Sequence, residues 1–285
     1  MDMVYKDRVA LVVGGSSGTG KALASQLVAA GCSVGIIARD EVKLASARDE
    51  ILKHALDGKT FVEAMSCDVT DDRRARDVIS SFVDAHGVPD FLFNCAGAAY
   101  PRYIQDYTIH DFESAMRLDY LGTVIPVMAL LPGMMARGSG FIVNISSAMG
   151  FVGMIGYGTY APAKFAVAGF SEVLRHEMKP HGIKVSVVFP SDIDTPGFKT
   201  ENETKPEECR IISEHGKLMQ PEDVAARILK EVAKGRFYIL PGESSFIFKM
   251  KRLFPGLVYS IIDNDLIKAR RKLGKVKHDA RHQRT

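Results

Sequence analysis

Tyr160 and Lys164 stand four residues apart in the stretch TYAPAKFAVAGF. On a helix their side chains share one face, one turn apart. A phenol of ordinary pKa near 10 is a slow acid at neutral pH. An ammonium beside it favours the phenolate and lowers that pKa. Such a pair suits the delivery of a proton to an oxygen that is gaining negative charge, as a ketone oxygen does when its carbon accepts a hydride. Pro162 lies between the two residues. It is compatible with a helix that starts at or just before Tyr160, because N–H groups of the first turn have no intrahelical partner to lose.

A second chemistry-bearing stretch is VVGGSSGTGKALA, where Gly14, Gly18 and Gly20 give G-x-x-x-G-x-G. It follows an apolar run and opens a helix-like segment. Glycines there let the backbone turn tightly and approach a pyrophosphate, whose charge sits at a helix N-terminus. Ser16, Ser17 and Thr19 in the same loop can add contacts. The next apolar run ends in IIARDEVKL. Arg39 and Lys43 suit a ribose 2′-phosphate, since guanidinium pairs with phosphate bidentately. Asp40 is the counter-indication, because a carboxylate at this place can serve the free 2′-hydroxyl of NAD. The balance favours NADP(H).

Residues of both kinds need elements to hold them. Strand-like runs at 8–14, 32–39, 60–69, 91–97, 140–147, 183–190 and 236–242 alternate with helix-like segments near 18–30, 41–56, 71–86, 109–137, 158–180 and 221–234. The strand runs are continuously apolar, as expected for strands covered on both faces. Repeated β-α-β predicts an α/β fold with a parallel, doubly wound sheet. The polar segment 191–220 follows the sixth strand and reads as a lid or binding loop.

Four motifs in order now carry a resemblance: G-x-x-x-G-x-G at 14–20, NCAG at 94–97, ISS at 145–147 and Y-x-x-x-K at 160–164. From about residue 8 to 240 the chain resembles the short-chain dehydrogenase/reductase family. The resemblance implies a Rossmann-type fold with a seven-stranded parallel sheet. It implies an NADP(H)-dependent oxidoreductase acting on CH–OH/C=O. Tyr160 is then the proton donor, and Lys164 tunes it while holding the nicotinamide ribose. Ser147 hydrogen-bonds the substrate oxygen, with Ser146 the weaker candidate. Asp68 and Val69 fall at the adenine, Asn94, Ala96 and Gly97 along the cofactor, and Pro190, Ile193 and Thr195 at the carboxamide. Asp119 stands where the family usually has asparagine, and is taken as a proton-relay member. Val13 and Ser191 depart from the usual threonine and glycine. The loop at 194–214 resembles that of family members acting on the 3-keto group of long-chain sphingoid bases. A steroid, retinoid or other lipophilic ketone is the alternative, and a non-catalytic NADP-binding regulator the alternative of another class.

Bulk properties bound the rest. The 285 residues carry 46% hydrophobic and 25% charged side chains and a net charge of +3, ordinary for a soluble globular chain. The four cysteines form no C-x-x-C pair, so buried reduced thiols are expected and no metal site. No run of the ~18 apolar residues needed for a membrane span stands out. The N-terminus reads as a first strand rather than a secretory signal. Residues 244–285 hold eleven Lys/Arg against three Asp, so that extension carries +8 and the rest −5. The domain organisation expected is 1–243 for the nucleotide-binding reductase, including the loop 191–220, then a basic amphipathic extension at 244–285. Its mix of apolar and basic residues suits peripheral contact with anionic lipid. No recognition motif for nucleic acid accompanies the charge. The expected setting is cytoplasmic, peripheral to a membrane, at the cytosolic face of the endoplasmic reticulum if eukaryotic. A dimer or tetramer through the helices near 109–137 and 158–180 is the family habit.

Overall fold

In the computed structural model, which describes residues 2–275 apart from 57, 214, 215 and 217, the apolar runs pair side by side into one sheet. The strands are β1 (Val9–Val13), β2 (Ser33–Ala38), β3 (Val62–Ser66), β4 (Phe91–Asn94), β5 (Gly140–Ile145), β6 (Ile183–Val188) and β7 (Tyr238–Ile239). Their order across the sheet is β3-β2-β1-β4-β5-β6-β7, and every pairing is parallel. Parallel neighbours require crossover connections, and helices supply them. A short α1 (Asp2–Tyr5) precedes β1; α2 (Gly18–Ala29), α3 (Glu41–Leu52) and α4 (Asp72–His86) follow β1, β2 and β3. After β4 come α5 (Ile109–Ala115) and α6 (Gly122–Arg137), and after β5 comes α7 (Tyr160–Met178). The sheet therefore has a hydrophobic layer on each face. One is built on Val12, Leu23, Leu27, Ile36 and Ile228, the other on Leu11, Ile79, Phe82, Leu92 and Leu130.

Local chemistry starts the helices where the sequence signals them. Asp40 accepts the Lys43 N–H at 3.0 Å and Asp71 accepts the Arg74 N–H at 3.1 Å, each capping the helix that follows. Thr108 and Asp111 form a reciprocal capping box at α5. Tyr160 is the first residue of α7, so Pro162 falls in its first turn and breaks no helical hydrogen bond.

Three differences from the sequence reading have physical causes. The polar segment 191–220 contains two helices, α8 (Pro196–Thr204) and α9 (Glu207–Ser213). Thr195 accepts the Phe198 N–H at 3.1 Å and Pro196 is preset for the first helical position. Between α5 and α6 the chain takes one π-helical turn, Met116–Leu121, rather than continuing as plain α-helix. The resulting continuous helix, Ile109–Arg137, has an 18-residue window of mean hydropathy 1.4, which is long and apolar enough by length and composition to cross a membrane. Here it lies on the sheet and packs against α4, a role that also demands apolar residues.

Past α10 (Pro221–Ala233) and β7, the extension forms α11 (Ser244–Leu253) and α12 (Pro255–Lys272). α12 packs on α9, where Arg270 lies 3.6 Å from Glu208 and Lys275 lies 2.9 Å from Glu207. The remaining basic tail, 276–285, lies outside the described residues. All four cysteines are free.

Candidate active site

In an open parallel sheet a ligand settles beyond the carboxyl ends of the strands, where the strand order reverses. Here β1 is flanked by β2 and β4, and a cavity of about 440 Å³ opens beyond their ends. It is one continuous space. Gly14, Ser16 to Gly20, Arg39 and Lys43 line one end, and Ser147, Tyr160 and Lys164 line the other.

At the first end, Gly14 has φ +81°, and a Cβ there would stand 2.7 Å from the Ala96 backbone nitrogen. Only glycine fits this turn. α2 begins directly after it, and the Ser17 hydroxyl caps none of its N–H groups. First-turn donors at Gly18, Thr19 and Gly20 therefore face the cavity without a side-chain acceptor, as an anion site requires. Arg39 is exposed at the end of β2 with no ion pair among the described residues. Lys43 lies 3.5 Å from Asp40, whose carboxylate is occupied as the α3 cap. Asp68 and Val69 line the cavity beyond β3, with one Asp68 oxygen held by the Thr70 N–H at 2.9 Å. Ala96, Gly97, Pro190, Ile193 and Thr195 line it as well.

Asn94 is placed differently. It is buried at the end of β4, behind the cavity wall. Its amide donates to Asn144 Oδ1 at 2.9 Å, and Asn144 donates to Ser171 Oγ at 2.9 Å. This buried chain ties β4 and β5 to α7. The sequence reading missed Asn144 and Ser171, since neither belongs to a recognisable spacing.

At the chemical end, Lys164 is 3% exposed and its Nζ lies 5.4 Å from the Tyr160 ring centroid. It donates to the Ile145 carbonyl at 3.2 Å and stands 3.3 Å from Asp119 Oδ1. The π-helical turn aims Asp119 inward. Such turns recur at functional sites because the extra residue re-aims a side chain. Asp119 is fully buried; Oδ1 accepts the Ala98 N–H at 3.1 Å while Oδ2 accepts nothing. The backbone comes close here: a Cβ on Gly97 would lie 2.5 Å from Asp119 Oδ1. The Asp119 carbonyl accepts the Thr123 hydroxyl at 3.3 Å. Ser147 accepts the Met149 N–H at 3.2 Å, and its hydroxyl meets the Tyr160 phenol. Ser146 is turned away, donating to the Lys164 carbonyl at 2.9 Å.

The electrostatics correct one expectation. Lys164 was to pull the Tyr160 pKa down. Instead burial, and after it the charge of Asp119, raises the phenol well above its ordinary value, with the Ser147 hydrogen bond opposing. Lys164 already has a carboxylate 3.3 Å away, so its charge is largely spent before it reaches the phenol. Burial also pushes the Asp119 carboxyl up to about 6, with Lys164 holding it down. The phenol is therefore neutral at physiological pH, the state a proton donor needs.

The sequence reading also missed Asp192, Phe198 and Glu201, which line the chemical end from the segment after β6, and Tyr157, which lines it from the connection before α7. The only signal was that this polar segment had to go somewhere.

A strand–glycine loop–helix cradle joined to a buried Ser-Tyr-Lys constellation by one cavity defines a nucleotide-dependent oxidoreductase of the Rossmann type. The short chain dehydrogenase family description matches residues 8–206, and the chain belongs to that family. It is similar to 3-ketodihydrosphingosine reductase of Bos taurus, 39% identical over 238 residues, which is 83% of this chain and 72% of the relative. It is also similar to 3-dehydrosphinganine reductase of Danio rerio, 40% identical, covering 80% of this chain and 69% of the relative. Among solved structures, levodione reductase superposes with TM-score 0.75 at 23% identity, covering 84% of this chain and 98% of that one. The 3-oxoacyl-[acyl-carrier protein] reductase of Brucella melitensis does so with TM-score 0.71 at 26% identity, covering 84% and 91%. Membership in this family makes the chain an oxidoreductase acting on CH–OH/C=O with a nicotinamide cofactor.

Proposed function

We propose that the chain reduces the 3-keto group of 3-ketodihydrosphingosine to the hydroxyl of dihydrosphingosine, using NADPH. The carrying observation is the single cavity that runs from Arg39 and the open N-terminus of α2 to Tyr160 and Ser147, in a chain 39% identical to a reductase of that name. The uncapped first turn of α2 and the Gly14 cradle fit a pyrophosphate. Arg39, without an ion pair among the described residues at the end of β2, fits a 2′-phosphate, and the engagement of Asp40 as a cap weakens the case for NAD. Bound NADPH supplies the hydride for the carbonyl carbon.

The protein's own residues do the rest. Ser147 donates a hydrogen bond to the ketone oxygen and orients the carbonyl. As negative charge grows on that oxygen, Tyr160 Oη transfers its proton to it. Lys164 steadies the phenolate left behind, to the extent that Asp119 leaves it charge to do so. Asp119 is the counter-ion of Lys164 and holds the Ala98 backbone in place.

The helical extension completes this reading. α11 and α12 expose Phe246, Leu253, Phe254, Leu257 and Tyr259 among Lys249, Lys251 and Arg252, a surface suited to anionic lipid. It would place the enzyme beside a substrate that partitions into bilayers. Flotation with anionic but not neutral liposomes is expected. Binding that ignores lipid charge overturns this part. A panel of ketones with NADPH tests the main reading: turnover of 3-ketodihydrosphingosine is expected, and turnover confined to steroid ketones refutes it.

A further inference from the structure

The segment after β6 folds back over the chemical end of the cavity and brings charge with it. Asp192, Phe198 and Glu201 line the same space as Tyr160 and Ser147. Glu201 is engaged: its Oε1 accepts the Tyr157 hydroxyl at 2.5 Å and lies 3.0 Å from Lys205 Nζ. Lys205 is 3% exposed, and its Nζ, which makes no hydrogen bond, stands 4.7 Å from the Phe198 ring centroid. Its charge is committed to Glu201 inside the wall.

Asp192 is different. Its backbone is fixed, with the carbonyl accepting the Met219 N–H at 3.0 Å. Its carboxylate makes no hydrogen bond and no ion pair among the described residues. It is partly buried in the cavity wall and feels the charge of Lys205 and of Glu201. Among the described residues, Lys164 is paired with Asp119 and Lys205 with Glu201, which leaves the Asp192 carboxylate at this end without a cation of its own. Withdrawn charges are held in pairs in proteins, because an unpaired one costs too much. Asp192 and Glu201 line the same cavity as Tyr160 and Ser147, and their charge helps to raise the Tyr160 phenol. Arg39 and Lys43 are at the far end of the cavity, toward the glycine loop.

We propose that Asp192, backed by Glu201, accepts the ammonium group of the substrate, so that the site selects ketones bearing a protonated amine on a carbon next to the carbonyl. The inference rests on the reductase reading above and names the residue that makes it specific. The ammonium supplies the missing charge, and its fixed position beside the carbonyl sets the ketone oxygen against Ser147 and Tyr160. A neutral steroid or plain keto lipid would leave Asp192 uncompensated, and selectivity of this kind comes from the group left unpaired.

The test compares 3-ketodihydrosphingosine with its deamino analogue, a 1-hydroxy-3-ketone of the same chain length, in wild type and in Asp192→Asn. The readout is the ratio of kcat/KM for the amine over the analogue. Wild type should favour the amine. In Asp192→Asn the ratio should fall about tenfold or more, chiefly through KM. An unaltered ratio overturns the inference while leaving the reductase reading standing. A wild type inert toward the amine but active on neutral ketones overturns both. Should the variant fail to fold, dodecylammonium and dodecanol are compared as inhibitors of wild type below their aggregation limits. Inhibition about tenfold or more stronger by the ammonium supports the assignment, and equal inhibition overturns it.

Discussion

Replacing Asp119 by asparagine should stabilise the protein, although it removes one partner of a buried ion pair. The Asp119 carboxyl sits at about 6 against an ordinary 3.8. Its folded pKa lies above its unfolded one, so the folded protein holds the proton more tightly. The stability tied to that proton is fully present below pH 3.8 and is lost as pH rises through about 6. The shift is worth about 3 kcal/mol at ~1.4 kcal/mol per unit. Lys164 at 3.3 Å is already counted in that figure, because its attraction is what keeps the pKa from rising further. Asparagine resembles the protonated acid: its oxygen can keep the Ala98 N–H, and its amide takes the place of Oδ2, which accepts nothing now. Urea unfolding of both proteins between pH 5 and 8 checks this. The variant's advantage should be on the order of 3 kcal/mol at pH 7.5 and roughly half that at pH 5. In thermal unfolding that corresponds to roughly 6–12 °C for a chain of this size. Titrating groups other than Lys164 and Tyr160, which Asp119 touches electrostatically, cancel in the difference. A variant that is less stable than wild type at pH 7.5, or that tracks it in parallel across the range, refutes the reasoning.

The same substitution frees Lys164 to act on the phenol. The acid limb of dihydrosphingosine oxidation by NADP⁺ should therefore move to lower pH by about 1–3 units, and an unmoved limb means Asp119 does not act on Tyr160. Tyr160→Phe should lower kcat by about 10²–10⁴ with NADPH affinity nearly intact by fluorescence titration; a variant keeping most activity removes Tyr160 as the acid. Arg39→Ala should weaken NADPH about tenfold or more and NADH far less, since a charge-assisted hydrogen bond to phosphate is worth about 1.5–3 kcal/mol; equal losses place the 2′-phosphate elsewhere. Gly14→Ala should abolish cofactor binding, because a Cβ at φ +81° would stand 2.7 Å from the Ala96 nitrogen.

The sheet was legible because strands covered on both faces must be apolar throughout, and runs such as RVALVVG and FLFNCAG admit little else. The last strand was overdrawn: 236–242 pairs only at Tyr238 and Ile239, since an edge strand needs few partners. The glycine loop and the Tyr-Lys pair were legible because both are local. Asp119 could be named from its position but not understood. Its inward aim depends on one π-helical turn, and its effect on Tyr160 depends on burial, neither of which spacing reveals. The loop 191–220 hid α8 and α9 because its polar residues mask the Thr195-Pro196 start signal. The closeness of Asp192 and Glu201 to Tyr160 exists only after that segment folds over the cavity.

The central claim is that Tyr160 protonates the 3-keto oxygen of a sphingoid base as NADPH reduces it. The direct measurement is product formation: purified protein, NADPH and 3-ketodihydrosphingosine, with dihydrosphingosine quantified by mass spectrometry and Tyr160→Phe run alongside. Dihydrosphingosine in step with NADPH consumed by wild type, and a trace from the variant, is the result predicted. NADPH consumption without dihydrosphingosine, or equal product from both proteins, would contradict it.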